Sequence, residues 1–188
     1  MPSIILASAS VRRRELLQRI CDDFTVQPAN IDETALAGEH AKELVIRLAE
    51  HKAQYILNTN PEAIVIGSDT LIECDAAVLG KPESQAHFMH MMKTLSNRQH
   101  TVHTAVACLT KDQVLCKMVS TEITFATISE QQALAYWQSG EPQDKAGGYA
   151  IQGLGEQFIT RINGSYSAVV GLPLYETKHM LETLVKWT

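Results

Sequence analysis

Apolar residues along this chain follow two rhythms. Short unbroken runs alternate with stretches that place an apolar residue every three or four positions. Residues 3–7 form a run of the first kind, and Ser8-Ala9-Ser10 follows it, so a buried strand leading into a loop is predicted. Ser10 suits an N-cap, and the helix after it carries Leu16, Leu17 and Ile20 on one face. Residues 24–27 read as a second short strand, and residues 28–38 as a polar loop containing Ile31-Asp32-Glu33-Thr34. A long helix is predicted over 39–58, with Leu44, Val45, Leu48 and Ala49 as its apolar stripe. Residues 63–66 form another buried strand, which runs into a bend at Gly67-Ser68-Asp69-Thr70. A small hairpin over 71–79 turns near Asp75 and ends in Gly80-Lys81-Pro82, and a helix over 83–95 comes next. Two long β-like runs, 101–110 and 114–127, flank Lys111-Asp112-Gln113 and predict an extended hairpin. A helix over 129–139 capped by Ser129, a glycine-rich loop over 140–155, a strand over 158–162 and a helix starting near Pro173 complete the chain. Strands and helices alternate without strict order, which implies an α/β fold with a mixed sheet. No repeat or linker divides the chain, so residues 1–188 read as one domain, within the size that two lobes can share.

Charge narrows the function. The formal net charge is -5, and the basic residues are scattered apart from Arg12-Arg13-Arg14. Duplex binding needs a basic stripe, so nucleic acid is not the expected partner, whereas three arginines suffice for one phosphate group. Cys21, Cys74, Cys108 and Cys116 show no C-x-x-C spacing, which suggests a reducing compartment. The N-terminal residues lack the basic and apolar regions of a signal peptide, and no apolar stretch approaches a membrane span. A cytoplasmic protein without a membrane partner is expected.

Five features make poor structural sense unless they meet a ligand. Arg12 and Arg13 fall in the first turn after Ser10, where the helix end is already positive. A phosphate there would reverse the penalty; the alternative is that both arginines are merely solvated. Lys52 continues the apolar stripe of the long helix, so it either snorkels outward or meets a negative partner. Asp69 follows a buried strand, a place where α/β folds gather ligands, although an Asx turn would also use it. Gly80-Lys81-Pro82 offers a close approach and a point charge, or an ordinary turn. The run from Asp144 to Gly153 has the glycine content of a loop that wraps a ligand through backbone amides, or of simple turns. Two arginines, two lysines and the acids Glu33 and Asp69 together fit a triphosphate with a divalent cation. His87 with His90, and His100 with His103, lack a nearby third ligand, so no zinc site is expected.

In this order, the motifs closely resemble the Maf family of nucleotide pyrophosphatases. The matching stretches are Leu6-Ala-Ser-Ala-Ser-Val-Arg-Arg13, Asp32-Glu-Thr34, Arg47-Leu-Ala-x-x-Lys52-Ala, Gly67-Ser-Asp-Thr70 and Gly80-Lys-Pro82. Asp144-Lys-Ala-Gly147, Ile151-Gln-Gly153 and Gly164-Ser-Tyr through Val170-Gly-Leu-Pro-Leu174 extend the match over nearly the whole chain. The resemblance implies hydrolysis of nucleoside triphosphates to the monophosphate and pyrophosphate with Mg²⁺ or Mn²⁺. It also implies an elongated mixed sheet flanked by helices, two lobes with a central cleft, and a homodimer. Carried over by motif, Asp69 is the proton acceptor and, with Glu33, a metal ligand. Ser8, Arg13, Lys52 and Lys81 line the phosphate channel. Arg12, Thr70 and Gln152 stand at the positions that separate subgroups, and this combination resembles the subgroup acting on dTTP and UTP. A glutamine amide offers both a donor and an acceptor to the imide edge of uracil or thymine. Val11 departs from the proline usual in the family, and Gly148 from a frequent alanine. Two alternatives remain: a pyrophosphatase for a modified nucleotide such as 7-methyl-GTP, and a non-catalytic nucleotide sensor linked to cell division.

Overall fold

The computed structural model describes residues 2–184. Seven strands form one mixed sheet: β1 (Ile4–Leu6), β2 (Thr25–Val26), β3 (Ile64–Cys74), β4 (Ala77–Leu79), β5 (Gln99–Leu109), β6 (Val114–Phe125) and β7 (Ile159–Asn163). Their order is β2-β1-β3-β5-β6-β7, with β4 paired to β3. β1 runs parallel to β2 and β3, and the remaining pairs are antiparallel. The helices are α1 (Val11–Leu17), α2 (Ala41–Leu57), α3 (Gln85–Leu95), α4 (Glu130–Gln138), α5 (Tyr166–Val170) and α6 (Leu174–Leu184). The α/β class and mixed sheet expected from the sequence are therefore present.

The long strands β3 and β5 carry three core clusters along their length. At one end, α2 covers one face of the sheet through Val45, Ala49 and Ala53 against Val65, Ala105 and Ala107. There α1 and α6 cover the other face, where Leu16, Leu17 and Met180 meet Ile66 and Val106. At the opposite end, Phe88, Met92 and Leu95 of α3 and Tyr136 of α4 pack with Val102, Ile123, Phe125 and Phe158. Fully buried side chains of this size each contribute about 1.5–3 kcal/mol of transfer free energy.

One expectation about local structure is corrected. Gly67-Ser68-Asp69-Thr70 is not a bend after a strand. β3 runs straight through it, with Asp69 opposite Ala105 in the antiparallel ladder. The glycine serves packing rather than turning: a Cβ at Gly67 would lie 2.1 Å from the Ala49 carbonyl oxygen of α2. Alternation then sends Asp69 to the face covered by α2, and Ser68 and Thr70 to the other. The β3–β4 hairpin turns at Asp75 and Ala76, both at positive φ (50° and 62°), as a two-residue primed turn requires.

Candidate active site

α1 starts where the sequence places it, with Ser10 Oγ accepting from the Arg13 amide at 3.3 Å. The helix start turns the Arg13 side chain inward. Its Nε donates to the Gly171 carbonyl at 2.9 Å, Nη1 to Ser8 Oγ at 3.4 Å and Nη2 to Thr70 Oγ1 at 3.3 Å. Thr70 also accepts from Thr104 Oγ1 at 3.1 Å, and Ser68 donates to the same Gly171 carbonyl at 2.9 Å. Burial lowers the Arg13 proton affinity, and Asp69 opposes that shift. An arginine guanidinium stays protonated in proteins.

Lys52 does not snorkel. Its side chain is 9% exposed, and Nζ lies 2.7 Å from both Asp69 Oδ1 and Glu33 Oε1. Burial raises the Asp69 carboxyl above its ordinary range, while Lys52 and Arg13 pull it back. Asp69 Oδ2 is buried and has no hydrogen-bond partner among the described residues. Such an atom is costly to leave alone, so it points to a ligand. Glu33 reaches the pair from a loop that Arg47 clips in place. Arg47 pairs with both oxygens of Glu39 (2.6 and 2.7 Å) and donates to the Thr34 carbonyl at 3.0 Å. That fork holds the Glu39 carboxyl down to about 2.

These groups open into a cleft of about 590 Å³. Ser8, Arg12, Arg13, Glu33, Lys52, Asp69, Thr70, Lys81 and Gln152 all line it. Direct contacts join them into two knots only, Glu33–Lys52–Asp69 and Ser8–Arg13–Thr70. Lys81, held at the β4 exit, and Gln152, at the far mouth, are exposed. The Gly80 carbonyl accepts from the Gly147 amide at 2.9 Å, which ties the Lys81 turn to the glycine-rich segment. Ile72, Val102, Tyr149, Ile151, Val169 and Val170 give the far half apolar walls. Tyr149, Lys145 and Gly171 are cleft residues that the sequence reading did not single out as site residues. Asp144-Lys-Ala-Gly147 and Val170-Gly-Leu-Pro carried the signal, but no chemistry marked which atom mattered.

The family profile described as Maf-like protein matches residues 3–184. The chain belongs to the Maf family. Two curated Maf relatives make the likeness concrete. The dTTP/UTP pyrophosphatase of Pseudoalteromonas translucida is 50% identical over 98% of this chain and 98% of its own. That of Colwellia psychrerythraea is 48% identical over 95% of this chain and 86% of its own. Among solved structures, a HAM1 protein from Coxiella burnetii superposes with a TM-score of 0.51 at 17% identity, covering 100% of both chains. That degree of likeness speaks for the fold alone.

Among the described residues no group of three or more His, Cys, Asp and Glu could hold an ion by itself. Two carboxylates at one lysine, one with an orphaned buried oxygen, do fit a hard divalent cation that takes its remaining ligands from phosphate and water. No helix among the described residues is long and apolar enough to cross a membrane.

Proposed function

We propose that the protein hydrolyses nucleoside triphosphates, dTTP and UTP foremost, to the nucleoside monophosphate and pyrophosphate. The observation that carries this is the buried Asp69, with one oxygen on Lys52 and the other unpartnered at the wall of a cleft lined by basic residues. The names of the relatives support the same substrates.

Arg13 and Lys52 would receive the phosphate chain at the dry end, with Ser8 beside Arg13 and the exposed Lys81 also on the cleft wall. Glu33 and Asp69 would hold Mg²⁺ or Mn²⁺, which neutralises phosphate charge and orients the triphosphate when bound. Asp69 orients a water and takes its proton; its raised proton affinity suits that task. The water oxygen bonds to the α-phosphorus as the bond to the bridging oxygen breaks. The leaving pyrophosphate carries its electron pair toward Lys and Arg. Gln152 would pair with the imide edge of the base, and Arg12 and Thr70 would shape the same preference. The unpatterned thiols support a cytoplasmic setting, and a homodimer rests on the family resemblance.

The test is pyrophosphate release from a panel of nucleoside triphosphates with Mg²⁺ or Mn²⁺, by wild type and Asp69→Asn. dTTP and UTP are cleaved by wild type, and the variant loses about a thousandfold in turnover. Failure to cleave any nucleotide with either metal would overturn the reading.

A further inference from the structure

Base discrimination on this reading falls to residues 150–155, which present Gln152 at the cleft mouth. This segment lies outside the sheet and long helices, in a turn followed by a 3-10 helix (Leu154–Phe158). Its geometry is fixed from behind. The Ala150 amide donates to Tyr136 Oη at 3.1 Å, and that hydroxyl donates to Glu141 Oε1 at 2.6 Å. Glu141 in turn accepts the Leu154 amide at 2.9 Å and the Gly155 amide at 3.0 Å. One carboxylate and one phenol thus clasp both ends of the turn. Two glycines leave room for the clasp. A Cβ at Gly153 would lie 2.2 Å from Glu141 Oε2, and one at Gly155 would lie 2.7 Å from the Tyr136 oxygen. Burial works against the charge on Glu141, but the hydrogen bonds from Tyr136, Leu154 and Gly155 outweigh it and hold the carboxyl below its ordinary range. Neither Tyr136 nor Glu141 is among the residues that line the cleft; both act from behind the turn.

We infer that Glu141 is a positioning residue for base recognition, holding through Tyr136 and two backbone amides the turn that carries Gln152. The inference rests on the cleft being a nucleoside triphosphate site. A glutamine at this place keeps one accepting oxygen for Tyr136 and Gly155 but turns an NH₂ donor toward the Leu154 amide, so that bond is lost and the clasp loosens at Leu154. The chemistry at Asp69 lies on different elements and stays intact.

Glu141→Gln is therefore expected to raise KM for UTP about tenfold, with kcat within about twofold of wild type. The inhibition constant of inorganic tripolyphosphate, which has no base, stays at its wild-type value. Tyr136→Phe keeps the packing against Phe88 and Phe158 and shows the same split at about threefold; it decides the matter if the first variant does not fold. KM and the tripolyphosphate constant rising together, kcat falling alone, or unchanged KM in the folded variants overturns the inference. A wild type that cleaves while the variants keep its KM removes this inference alone. A wild type that cleaves no nucleotide removes the proposed function and this inference with it.

Discussion

At one end of the cleft, Asp69, Lys52 and Arg13 issue from a strand and two helices and hydrogen-bond to one another, to Thr70 of β3 or to the end of α5 at Gly171. At the other end, Gln152 sits on a turn whose fixing bonds run through backbone amides to Glu141 and Tyr136. The first end has side chains in contact before any ligand arrives. The second leaves Gln152, the side chain proposed to read the base, exposed and fixes only the backbone beneath it. Charge chemistry needs a dry frame that does not reorganise during the reaction. Discrimination needs a surface whose sequence can change without disturbing that frame, and a turn off the sheet provides it.

This contrast breaks most severely at Gly67. Alanine there would collide with the Ala49 carbonyl and with the Ala53 amide nitrogen at 2.8 Å, both backbone atoms of α2. The helix must move, at a cost of about 3 kcal/mol, and Lys52 moves with it. Urea unfolding of Gly67→Ala should show that loss, with turnover falling alike for every nucleotide.

Acid offers a way to weaken the other end by itself. His100 lies beneath the apolar half of the cleft, its Nε2 2.7 Å from the Tyr149 hydroxyl and its Nδ1 buried without a partner among the described residues. Burial lowers its pKa from 6.5 to about 4. The unfolded chain thus takes up the proton first as pH falls. Stability is full above 6.5, declines as the solution is acidified, and levels off below about 4. At pH 5 the loss is about 2 kcal/mol. Unfolding at pH 7 and pH 5 should reveal this slope in wild type, and His100→Asn should lose it.

The mildest expected effect sharpens the contrast. Gln152→Ala should narrow the preference for UTP over CTP by about tenfold in kcat/KM, while tripolyphosphate inhibition is unaltered. An equal loss for both nucleotides would mean that Gln152 does not read the base.

Local signals in the sequence were legible where one residue had one job. Ser10 and Ser129 cap the helices that follow them, and the turn near Asp75 closes a hairpin. Gly67-Ser68 misled because glycine next to serine ordinarily marks a turn, whereas here the missing side chain admits α2 and the hydroxyl binds Ala105 and Gly171. Lys52 stood open between snorkelling and pairing, since the stripe of α2 does not reveal what the facing strand offers. The nine residues named from motifs all reach the cleft. Glu141 and Gly171 stayed hidden because their part lies in what they accept from distant amides and side chains, and sequence spacing carries no such pairing.

The Gly171 carbonyl has one more consequence. It receives Arg13 and Ser68 from across 158 and 103 residues of chain. On the ribosome the N-terminal partners emerge first and wait. Ser8 and Thr70 can take the two Nη groups of Arg13 early, but its Nε has no acceptor until the segment before α6 has been made and has folded back over β3. The cleft wall around Arg13 is therefore complete only once residues far along the chain have folded back onto the first strand and helix.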